Sequence, residues 1–362
     1  MKILHIITRS DTVGGAQKYI LETSRQFLND GHEVSVMAGG SGVFYNAIDA
    51  LGANYIEMNT MMREVSFFND FKTALKIRAK VMDINPDVVL VHSAKAGLLS
   101  RLALAFSRFK VIYIAHGWSH IRISSGVTFK TYCLIESVLS RLCKVVVCIS
   151  KSDFDYAIDK VGISEGKLEL IYNGVPEPLV SYAGVSQNDA INMLTITRFQ
   201  EPKDFETLLS ALNMVRDYPW FLNVLGDGET LAYYKAQVVE LELSHKIRFL
   251  GFKKELGSYY EECDVVILIS KSEGLPLALL EAMSYRKFLV ASSVGGIPEL
   301  IDDEYNGYLI PDRDYEYLAD RFRVIFGLSK EELLARGECS YLKYKESFNI
   351  EKTISKLYEA MF

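Results

Sequence analysis

Short apolar runs alternate with segments of helical composition along almost the whole 362-residue chain, and this alternation limits the possible folds more than any other feature. The runs are nearly continuously hydrophobic, which is typical of strands buried on both faces of a parallel sheet. Because the alternation occurs in each half, it predicts an α/β protein with two Rossmann-like, doubly wound parallel-sheet domains. The predicted strands are Lys2–Thr8, Glu33–Met37, Asn54–Met58, Asp87–Val91, Val111–Ala115, Lys144–Ile149, Leu168–Ile171, Asn192–Thr197, Phe221–Leu225, Lys246–Leu250, Asp264–Ile269, Phe288–Ala291 and Gly307–Ile310.

The boundary between the two domains is predicted where the alternation stops. Pro, Gly and polar residues without periodicity predict an interdomain linker at residues 176–188. The N-terminal domain then covers residues 1–175 and the C-terminal domain residues 189–345. Ligands of doubly wound sheets bind beyond the carboxyl ends of the strands, so we expect a site in a cleft between two facing domains.

Composition and charge exclude several classes of protein. No apolar run reaches the ~18 residues of a membrane span, and Met1–Thr8 becomes polar too soon for a signal peptide. Five cysteines without paired or zinc-ligand spacing fit free thiols in a reducing cytoplasm. Residues 1–180 carry 20 Lys and Arg against 17 Asp and Glu, which suits an anionic partner such as a phospholipid surface but is too weak for nucleic acid.

The stretch Ser272–Glu281 carries the clearest functional signal. It follows a predicted strand, and Leu277–Tyr285 has helical composition. Glu273 is therefore predicted in a loop and Glu281 about two turns into a helix, with Pro276 in a first helical turn that tolerates it. The positive end of such a helix can bind an anion, and Glu273 can accept hydrogen bonds from hydroxyl groups beside that anion. The alternative is a loop acid and a helix acid without function.

Two cations follow the first predicted strand of the second half. Arg198 comes directly after the strand, and Lys203 lies five positions later at a helix start. Arg offers a bidentate fork and Lys a point charge, so together they suit a diphosphate. Solvated surface cations are the simpler alternative.

Other strand ends carry weaker signals. Gly14 and Gly15 open the first helix, where a ligand could approach the backbone, but they do not form the G-x-G-x-x-G fingerprint of a dinucleotide site. Gly226 lies in a turn that needs Gly for conformational reasons alone. His116 follows a strand beside a Gly, and a structural role and a catalytic role are equally open for it.

Two pairs of acids, Asp153-x-Asp155 and Asp312-x-Asp314, have the spacing with which some enzymes hold a metal–diphosphate. The first pair lies at a helix start after Ser150 and the second in a turn, so structural roles are favoured for both.

Three further predicted helical segments concern membrane binding and the C-terminal part of the sequence. The helix predicted over Asn69–Met82 carries Lys72, Lys76 and Lys80 on one stripe. The segment Leu98–Lys110, which overlaps the helix predicted over Ala94–Phe106, is apolar with basic ends. Either could rest on an anionic membrane surface. Core-facing helices with solvated lysines are the simpler interpretation of each. The segment Lys330–Phe362 is predicted to be helical throughout.

Together these motifs closely resemble those of the retaining GT-B glycosyltransferases of family 4, over essentially the whole chain. The most specific matches are Glu273-x7-Glu281, the residues SVGGIPEL at 293–300, and Asn306-Gly307. The segments His116–Trp118 and Cys148–Asp153 resemble bacterial O-antigen and capsule enzymes that add N-acetylgalactosamine in α-1,3 linkage to a lipid-linked sugar.

The resemblance implies a role for each candidate residue. Arg198 and Lys203 would clamp the donor diphosphate, and Glu281 would bind the ribose hydroxyls. Glu273 would bind the hydroxyls of the donor sugar, and His116 would lie near the reacting centre. The other implied donor contacts are Gly14, Gly15, Asn173, Gly226, Phe252, Gly274, Leu275, Pro276 and Leu277. A last helix, from about Glu346 to residue 362, would cross back onto the first domain.

The implied reaction moves a sugar from UDP-GalNAc, as the best candidate donor, to an undecaprenyl-diphosphate-linked acceptor. The implied location is the cytoplasmic face of the inner membrane, with peripheral attachment. Neither a cofactor nor a metal is expected, so Arg198, Lys203 and helix N-termini must stabilise the leaving nucleoside diphosphate. No carboxylate is clearly placed as a nucleophile, and a front-face displacement is therefore implied.

Three alternatives remain open. The two-domain plan also serves UDP-N-acetylhexosamine 2-epimerases, which need no lipid acceptor. A non-enzymatic nucleotide-sugar-binding protein would share the donor site. A dehydrogenase is the least favoured, because the dinucleotide fingerprint is missing.

Overall fold

The computed structural model of the chain describes residues 1–179 and 190–362. The part of the predicted linker at residues 180–188 therefore lies outside the described residues. The described chain divides into two compact units. The first contains Met1–Gly174 and Ile350–Phe362, and the second contains Val175–Asn349.

The first unit is built on a sheet of seven parallel strands. In chain order the strands are β1 (Lys2–Arg9), β2 (Glu33–Gly39), β3 (Asn54–Glu57), β4 (Val88–His92), β5 (Lys110–Ala115), β6 (Val145–Cys148) and β7 (Leu168–Leu170). Their order in the sheet is β3-β2-β1-β4-β5-β6-β7. Strands β4 and β6 are buried along their whole length, as expected for the interior of a doubly wound sheet.

The helices of the first unit connect these strands. They are α1 (Gly15–Asn29), α2 (Val43–Ala50), α3 (Phe67–Ile84), α4 (Ala94–Ala103), α5 (Ser119–Arg122), α6 (Gly126–Ser140) and α7 (Lys151–Tyr156), which continues as a π-helical turn over Ala157–Val161. The Ser150 hydroxyl accepts a hydrogen bond from the Asp153 amide and caps α7, which confirms the helix start predicted after Ser150. Helix α4 ends before the predicted Phe106, because Phe106 has a φ of +56° that an α-helix cannot contain.

The second unit repeats the plan with six parallel strands. They are β8 (Ile191–Ile196), β9 (Trp220–Leu225), β10 (Ile247–Gly251), β11 (Val265–Leu268), β12 (Phe288–Ser292) and β13 (Gly307–Ile310). The order in the sheet is β10-β9-β8-β11-β12-β13. The helices are α8 (Phe205–Met214), α9 (Leu231–Glu240), α10 (Gly257–Glu262), α11 (Leu277–Ser284), α12 (Tyr315–Phe326) and α13 (Lys330–Ser347). Two parallel α/β units of this kind confirm the predicted fold class.

The end of the chain departs from the prediction of one continuous helix after Lys330. Helix α13 ends at Ser347, and α14 covers Ile350–Met361. Between them Phe348 leaves the helical conformation, its side chain is buried, and its carbonyl accepts a hydrogen bond from the Val175 amide at 3.1 Å. The prediction was wrong because this hydrogen bond joins residues 173 positions apart, which a local helical pattern cannot register.

Helix α14 belongs to the first unit. The Thr353 hydroxyl donates a hydrogen bond to the Tyr172 carbonyl at 2.9 Å, and the Tyr358 hydroxyl donates one to Asp30 at 2.7 Å. Leu357 and Met361 are fully buried. The helix therefore contributes to the core of the unit in which the chain begins. Within the described ranges, no helix is both long and apolar enough to cross a membrane.

Candidate active site

The candidate residues of the second half lie at one edge of one sheet. The loops after β8, β9, β10, β11 and β12 all follow carboxyl ends, and because the strands are parallel these ends share an edge. The loops contain Arg198, Gly226, Phe252, Glu273 and Gly295, in that order. The structure thus brings together residues that are up to 97 positions apart in the sequence.

The loop after β8 is held by the loop after β9. Gly226 has a φ of +131°, and a Cβ on it would lie 1.7 Å from the Thr197 carbonyl oxygen, so only Gly fits there. The Phe199 amide donates a hydrogen bond to the Asp227 carbonyl at 3.0 Å. The backbone on both sides of Arg198 is therefore fixed by its neighbour in the sheet. Gly226 therefore has the conformational role that was predicted from its position in a tight turn.

The loop after β11 is held in the same way by the loop after β12. Gly295 has a φ of +56°, and a Cβ on it would lie 1.8 Å from the Glu273 carbonyl oxygen. The Gly296 amide donates a hydrogen bond to the Gly274 carbonyl at 2.8 Å. These contacts fix the backbone that carries Glu273.

Lys203 and Glu273 form an ion pair. Their Nζ and Oε1 atoms lie 2.5 Å apart, and the two side chains are only 16% and 14% exposed. The Asp204 amide donates to the Ile269 carbonyl at 3.1 Å, which holds the loop after β8 beside the loop after β11. The Arg198 side chain is exposed, and within residues 1–179 and 190–362 it makes no hydrogen bond or ion pair. The loops therefore present a partly buried cation–acid pair and an exposed guanidinium.

Glu281 is held by a buried tyrosine. The Tyr260 hydroxyl lies 3.0 Å from Glu281 Oε2 and 3.0 Å from the Ala278 carbonyl oxygen. Burial, reinforced by the negative charge of Glu281, raises the pKa of Tyr260 well above its usual value, so the phenol keeps its proton. Glu281 is the fifth residue of α11, just over one turn from its start rather than the predicted two.

The segment from Gly274 to Leu277 offers backbone rather than side chains. Leu275 and Leu277 point into the core, with 3% and 9% exposure. Pro276 is the N-cap of α11, not a residue of its first turn as predicted, and it has no amide hydrogen. The positive end of α11 is therefore formed by the backbone amides that follow Pro276. Phe252, after β10, is 67% exposed.

In the first unit, Gly14 and Gly15 form the start of α1. Gly14 is the N-cap, and no side-chain oxygen of the residues that the structure describes caps the first-turn amides of this 15-residue helix. The Gly14 amide itself donates to Gln17 Oε1 at 3.2 Å. A Cβ on Gly15 would meet no atom of the described residues within 4 Å, so the position that a side chain would take there is open.

His116 is the outer member of a row of three histidines, which we call the histidine row. His116 Nε2 lies 2.9 Å from His92 Nδ1, and His92 Nε2 lies 3.0 Å from His5 Nδ1. His5 is in β1, His92 ends β4, and His116 directly follows β5. His5 and His92 are fully buried, whereas His116 is partly exposed.

The histidine row is uncharged at neutral pH. Burial lowers the pKa of His5 to about 3 and that of His116 to about 4. Burial and the charge of the neighbouring histidines lower the pKa of His92 well below its usual value. Each ring therefore carries one hydrogen at pH 7, because a second proton would place a charge in an apolar core.

Asn173 is the second-last residue of the segment Met1–Gly174 of the first unit. It is buried, with 3% exposure.

The acidic pairs have structural roles, as favoured from the sequence. Asp153 is buried and pairs with Arg122 at 3.2 Å, and Asp314 caps α12 by accepting from the Tyr317 amide at 2.8 Å.

Three supporting residues were not predicted from the sequence. His5 and His92 lie in otherwise apolar strands, and two polar side chains in such runs are the signal that could have singled them out. Tyr260 precedes the strand that leads to Glu273. The residues around Tyr260 do not mark it as functional, because only the tertiary structure brings it to Glu281.

Two family models match the chain. A model for glycosyl transferases group 1 matches residues 183–336, and a model for glycosyltransferase family 4 matches residues 13–177. The O-antigen biosynthesis glycosyltransferase WbnH of Escherichia coli is 32% identical over 310 residues, which cover 85% of this chain and 86% of that protein. A second E. coli relative, UDP-Gal:alpha-D-GlcNAc-diphosphoundecaprenol alpha-1,3-galactosyltransferase, is 22% identical over 376 residues, 99% of this chain and 95% of that protein.

Solved structures share the fold. A glycosyltransferase from Rickettsia africae ESF-5 has a TM-score of 0.84 at 20% identity and covers 99% of this chain and 97% of its own. HepE of Anabaena, in complex with UDP and glucose, has a TM-score of 0.84 at 19% identity and covers 100% and 99%. The two parallel-sheet units therefore form a GT-B fold. The chain belongs to the group 1 glycosyltransferases, related to family 4, as its motifs predicted.

Acidification below pH 6.5 is expected to destabilise the first unit through the histidine row. Unfolded His has a pKa near 6.5, whereas His5, His92 and His116 are protonated only at lower pH in the folded state. Between pH 6.5 and about 4 the unfolded chain binds up to three more protons, so stability falls as pH falls, by up to about 4 kcal/mol per pH unit. Urea unfolding followed by Trp118 fluorescence in a Trp220→Phe background measures this slope.

The variant His5→Phe removes one of the three histidines. The change in the free energy of unfolding with pH should then be smaller by the contribution of one proton, about 1.4 kcal/mol per pH unit. The exposed His245 in the second unit provides the control, since His245→Gln should leave the Trp118 transition unchanged. Equal slopes for His5→Phe and its parent would contradict the assignment.

Proposed function

We propose that this glycosyltransferase acts with retention in O-antigen or capsule synthesis. It moves a sugar from a UDP-sugar to an undecaprenyl-diphosphate-linked acceptor, with N-acetylgalactosamine from UDP-GalNAc in α-1,3 linkage as the best candidate. The observation that carries the proposal is the group formed by exposed Arg198 and the Lys203–Glu273 pair at the carboxyl edge of the second sheet. WbnH is named for O-antigen biosynthesis, and HepE has been crystallised with UDP-glucose. The named galactosyltransferase relative uses a UDP-sugar and a diphosphoundecaprenol-linked sugar.

The donor diphosphate is assigned to the two cations. Arg198 is free to turn its guanidinium toward two phosphate oxygens, because no internal partner among the described residues holds it. Lys203 brings a second positive charge in the same loop, whose backbone is hydrogen-bonded to the neighbouring loops. Both charges act on the leaving UDP, whose negative charge grows as its bond to the sugar breaks. This positive charge supports a metal-independent reaction.

The two acids are assigned to different hydroxyl groups of the donor. Glu281 is held by Tyr260 on α11 and would accept from the ribose hydroxyls. Glu273 would accept from the hydroxyls of the sugar. Phe252 is exposed and would contact the base, while the backbone of residues 274–277 would border the sugar and phosphate.

In the first unit, the donor contacts are assigned to His116, to the start of α1 at Gly14 and Gly15, and to Asn173. The uncapped amides of α1 suit a phosphate oxygen, because helix N-termini attract negative charge. Neutral His116 would contact the sugar near the reacting carbon.

The chemistry assigned to these groups is a front-face displacement. The acceptor hydroxyl attacks C1 of the sugar on the side from which UDP departs, and its proton passes to the leaving phosphate oxygen. Glu273 orients the donor instead of attacking it, an assignment supported by its ion pair with Lys203. The configuration at C1 is then retained without a covalent enzyme intermediate.

A lipid-linked acceptor requires approach to a membrane, and α3 provides a suitable surface. Its outward face carries an apolar stripe, the α3 stripe, formed by Phe68, Phe71, Leu75 and Met82, which are 87%, 64%, 54% and 61% exposed. At 100° per residue these four lie within about 60° of each other, opposite the buried Thr73, Ile77 and Val81. Lys72 and Lys76 border the stripe, as in helices that rest on anionic lipid.

Helix α4 is a poor alternative membrane surface. Its Arg101 is fully buried, pairs with Glu136 at 2.8 Å and stacks on Tyr113 at 4.0 Å. These contacts favour the core-facing interpretation of this helix, so the proposal assigns peripheral attachment at the cytoplasmic face of the inner membrane to α3.

Transfer is tested by incubating the purified chain with UDP-sugars and undecaprenyl-diphosphate-linked acceptors in the presence of EDTA. We expect UDP release and a lipid-linked product that gains one sugar, with UDP-GalNAc giving the fastest reaction. Magnetic resonance of the product should give an α-configured 1,3 linkage. Conversion of donor without acceptor would indicate an epimerase, and donor binding without turnover would indicate a binding protein. Loss of activity with EDTA would contradict the metal-independent mechanism.

Arg198→Ala and Lys203→Ala should each lower kcat/KM by at least about 100-fold, because each removes a charge from the leaving diphosphate. Lys271→Ala is the matched control, since Lys271 pairs with the exposed Glu201 at 2.6 Å in the neighbouring loop. Circular dichroism should show all three variants folded. Near-normal turnover of both Arg198→Ala and Lys203→Ala would refute the site assignment.

Phe68→Ser with Phe71→Ser should weaken binding to vesicles of phosphatidylethanolamine and phosphatidylglycerol by at least about tenfold, since each buried Phe contributes roughly 1.5–3 kcal/mol. Val239→Ser in the second unit, at an exposed apolar residue on α9, is the control and should bind like the parent. Co-sedimentation measures both. Equal binding of the stripe variant and the control would exclude α3 as the membrane surface.

A further inference from the structure

The histidine row runs from the core of the first unit to His116, which directly follows β5. His5 Nδ1 faces His92 Nε2 at 3.0 Å, and His92 Nδ1 faces His116 Nε2 at 2.9 Å. Neighbouring rings are nearly parallel, with interplanar angles of 22° and 24° and centroids 5.2 Å apart. Both ring nitrogens of His92 are therefore used, and each link needs one N–H and one lone pair.

The hydrogens in such a row are not independent. If each neutral ring carries one hydrogen, both links must point in the same direction along the row. In one arrangement the N–H groups point outward, from His5 to His92 to His116. In the other they point inward, from His116 to His92 to His5.

The inner end of the row decides between the two arrangements. His5 Nε2 is buried and has no hydrogen-bond partner among the described residues. The inward arrangement would bury an N–H there without an acceptor, whereas the outward arrangement leaves only a lone pair. An orphaned buried donor is the rarer and more costly of the two. The outward arrangement is therefore favoured.

We propose that His5 and His92 are positioning residues that hold His116 as its Nδ1–H tautomer, so that His116 donates a hydrogen bond to a substrate oxygen and does not act as a base. The identity of that oxygen, on the transferred sugar, rests on the proposed function. In this tautomer His116 Nε2 accepts from His92 Nδ1 and Nδ1 carries the hydrogen. His116 Nδ1 makes no hydrogen bond to the described chain, and the residue is partly exposed. The low pKa values of the three rings support the neutral state that the argument requires.

Histidine tautomers are measured by long-range 1H–15N correlation spectra of the 15N-histidine-labelled protein without substrate. The chain has six histidines, so His116→Asn suffices to assign the His116 signals. We expect His116 in the Nδ1–H form, opposite to the Nε2–H form that free histidine prefers in water. A dominant Nε2–H signal for His116 in the wild-type protein overturns the proposal, and this measurement needs no variant of the row.

Two substitutions of His92 test the coupling. His92→Phe cannot donate to His116, so His116 should revert to the Nε2–H form. His92→Gln has an amide that can accept from His5 and donate to His116, so it should keep the Nδ1–H form. Exposed His245→Gln is the control and should leave the His116 signals unchanged. Retention of the Nδ1–H form in folded His92→Phe would overturn the role of His92.

Activity provides a second, separate readout. His92→Phe should lower kcat/KM for sugar transfer about tenfold, the effect of one weakened hydrogen bond in the transition state, and His92→Gln should restore most of it. If the spectra behave as expected but no donor is turned over, the proposed function fails while the tautomer assignment stands. If transfer is normal and His116 is Nε2–H, the tautomer assignment fails alone.

Discussion

Close backbone contact between neighbouring strand-end loops is the constraint on which the candidate site depends. Gly226 and Gly295 have positive φ, and each lies where a Cβ would collide with the carbonyl oxygen of the adjacent loop. Because the contact is between backbones, it fixes Arg198 and Glu273 without engaging the functional ends of their side chains. A parallel sheet makes this possible, since its carboxyl ends all meet at one edge.

The candidate residues of the two units differ in charge. In the second unit, Lys203 and Glu273 form an ion pair at 2.5 Å, so neither charge is left unpaired in a largely buried position. In the first unit, burial keeps the histidine row neutral.

Most of the fold could be predicted from the sequence, because local pattern and tertiary structure agree. All thirteen strands lie within two residues of their predicted ends, since an apolar run bounded by polar residues is a local signal. The predictions were wrong at two helix ends. The break at Phe348 accompanies a hydrogen bond from the distant Val175, and α4 ends before Phe106, whose positive φ the apolar composition of the segment does not indicate. Short helices α2 and α5 lack the length for a clear periodic signal.

The sequence by itself determined the class of fold, the family and the identity of the candidate residues. Apolar runs and the motifs that follow them, with their cations, acids and glycines at fixed spacing, can be recognised along the chain. Only the tertiary structure decided what these residues contact. It joined Lys203 to Glu273 across 70 positions and Tyr260 to Glu281 across 21. It also aligned three histidines from three strands, and hydrogen-bond polarity in that row depends on which nitrogens face each other, a relation that no linear spacing encodes.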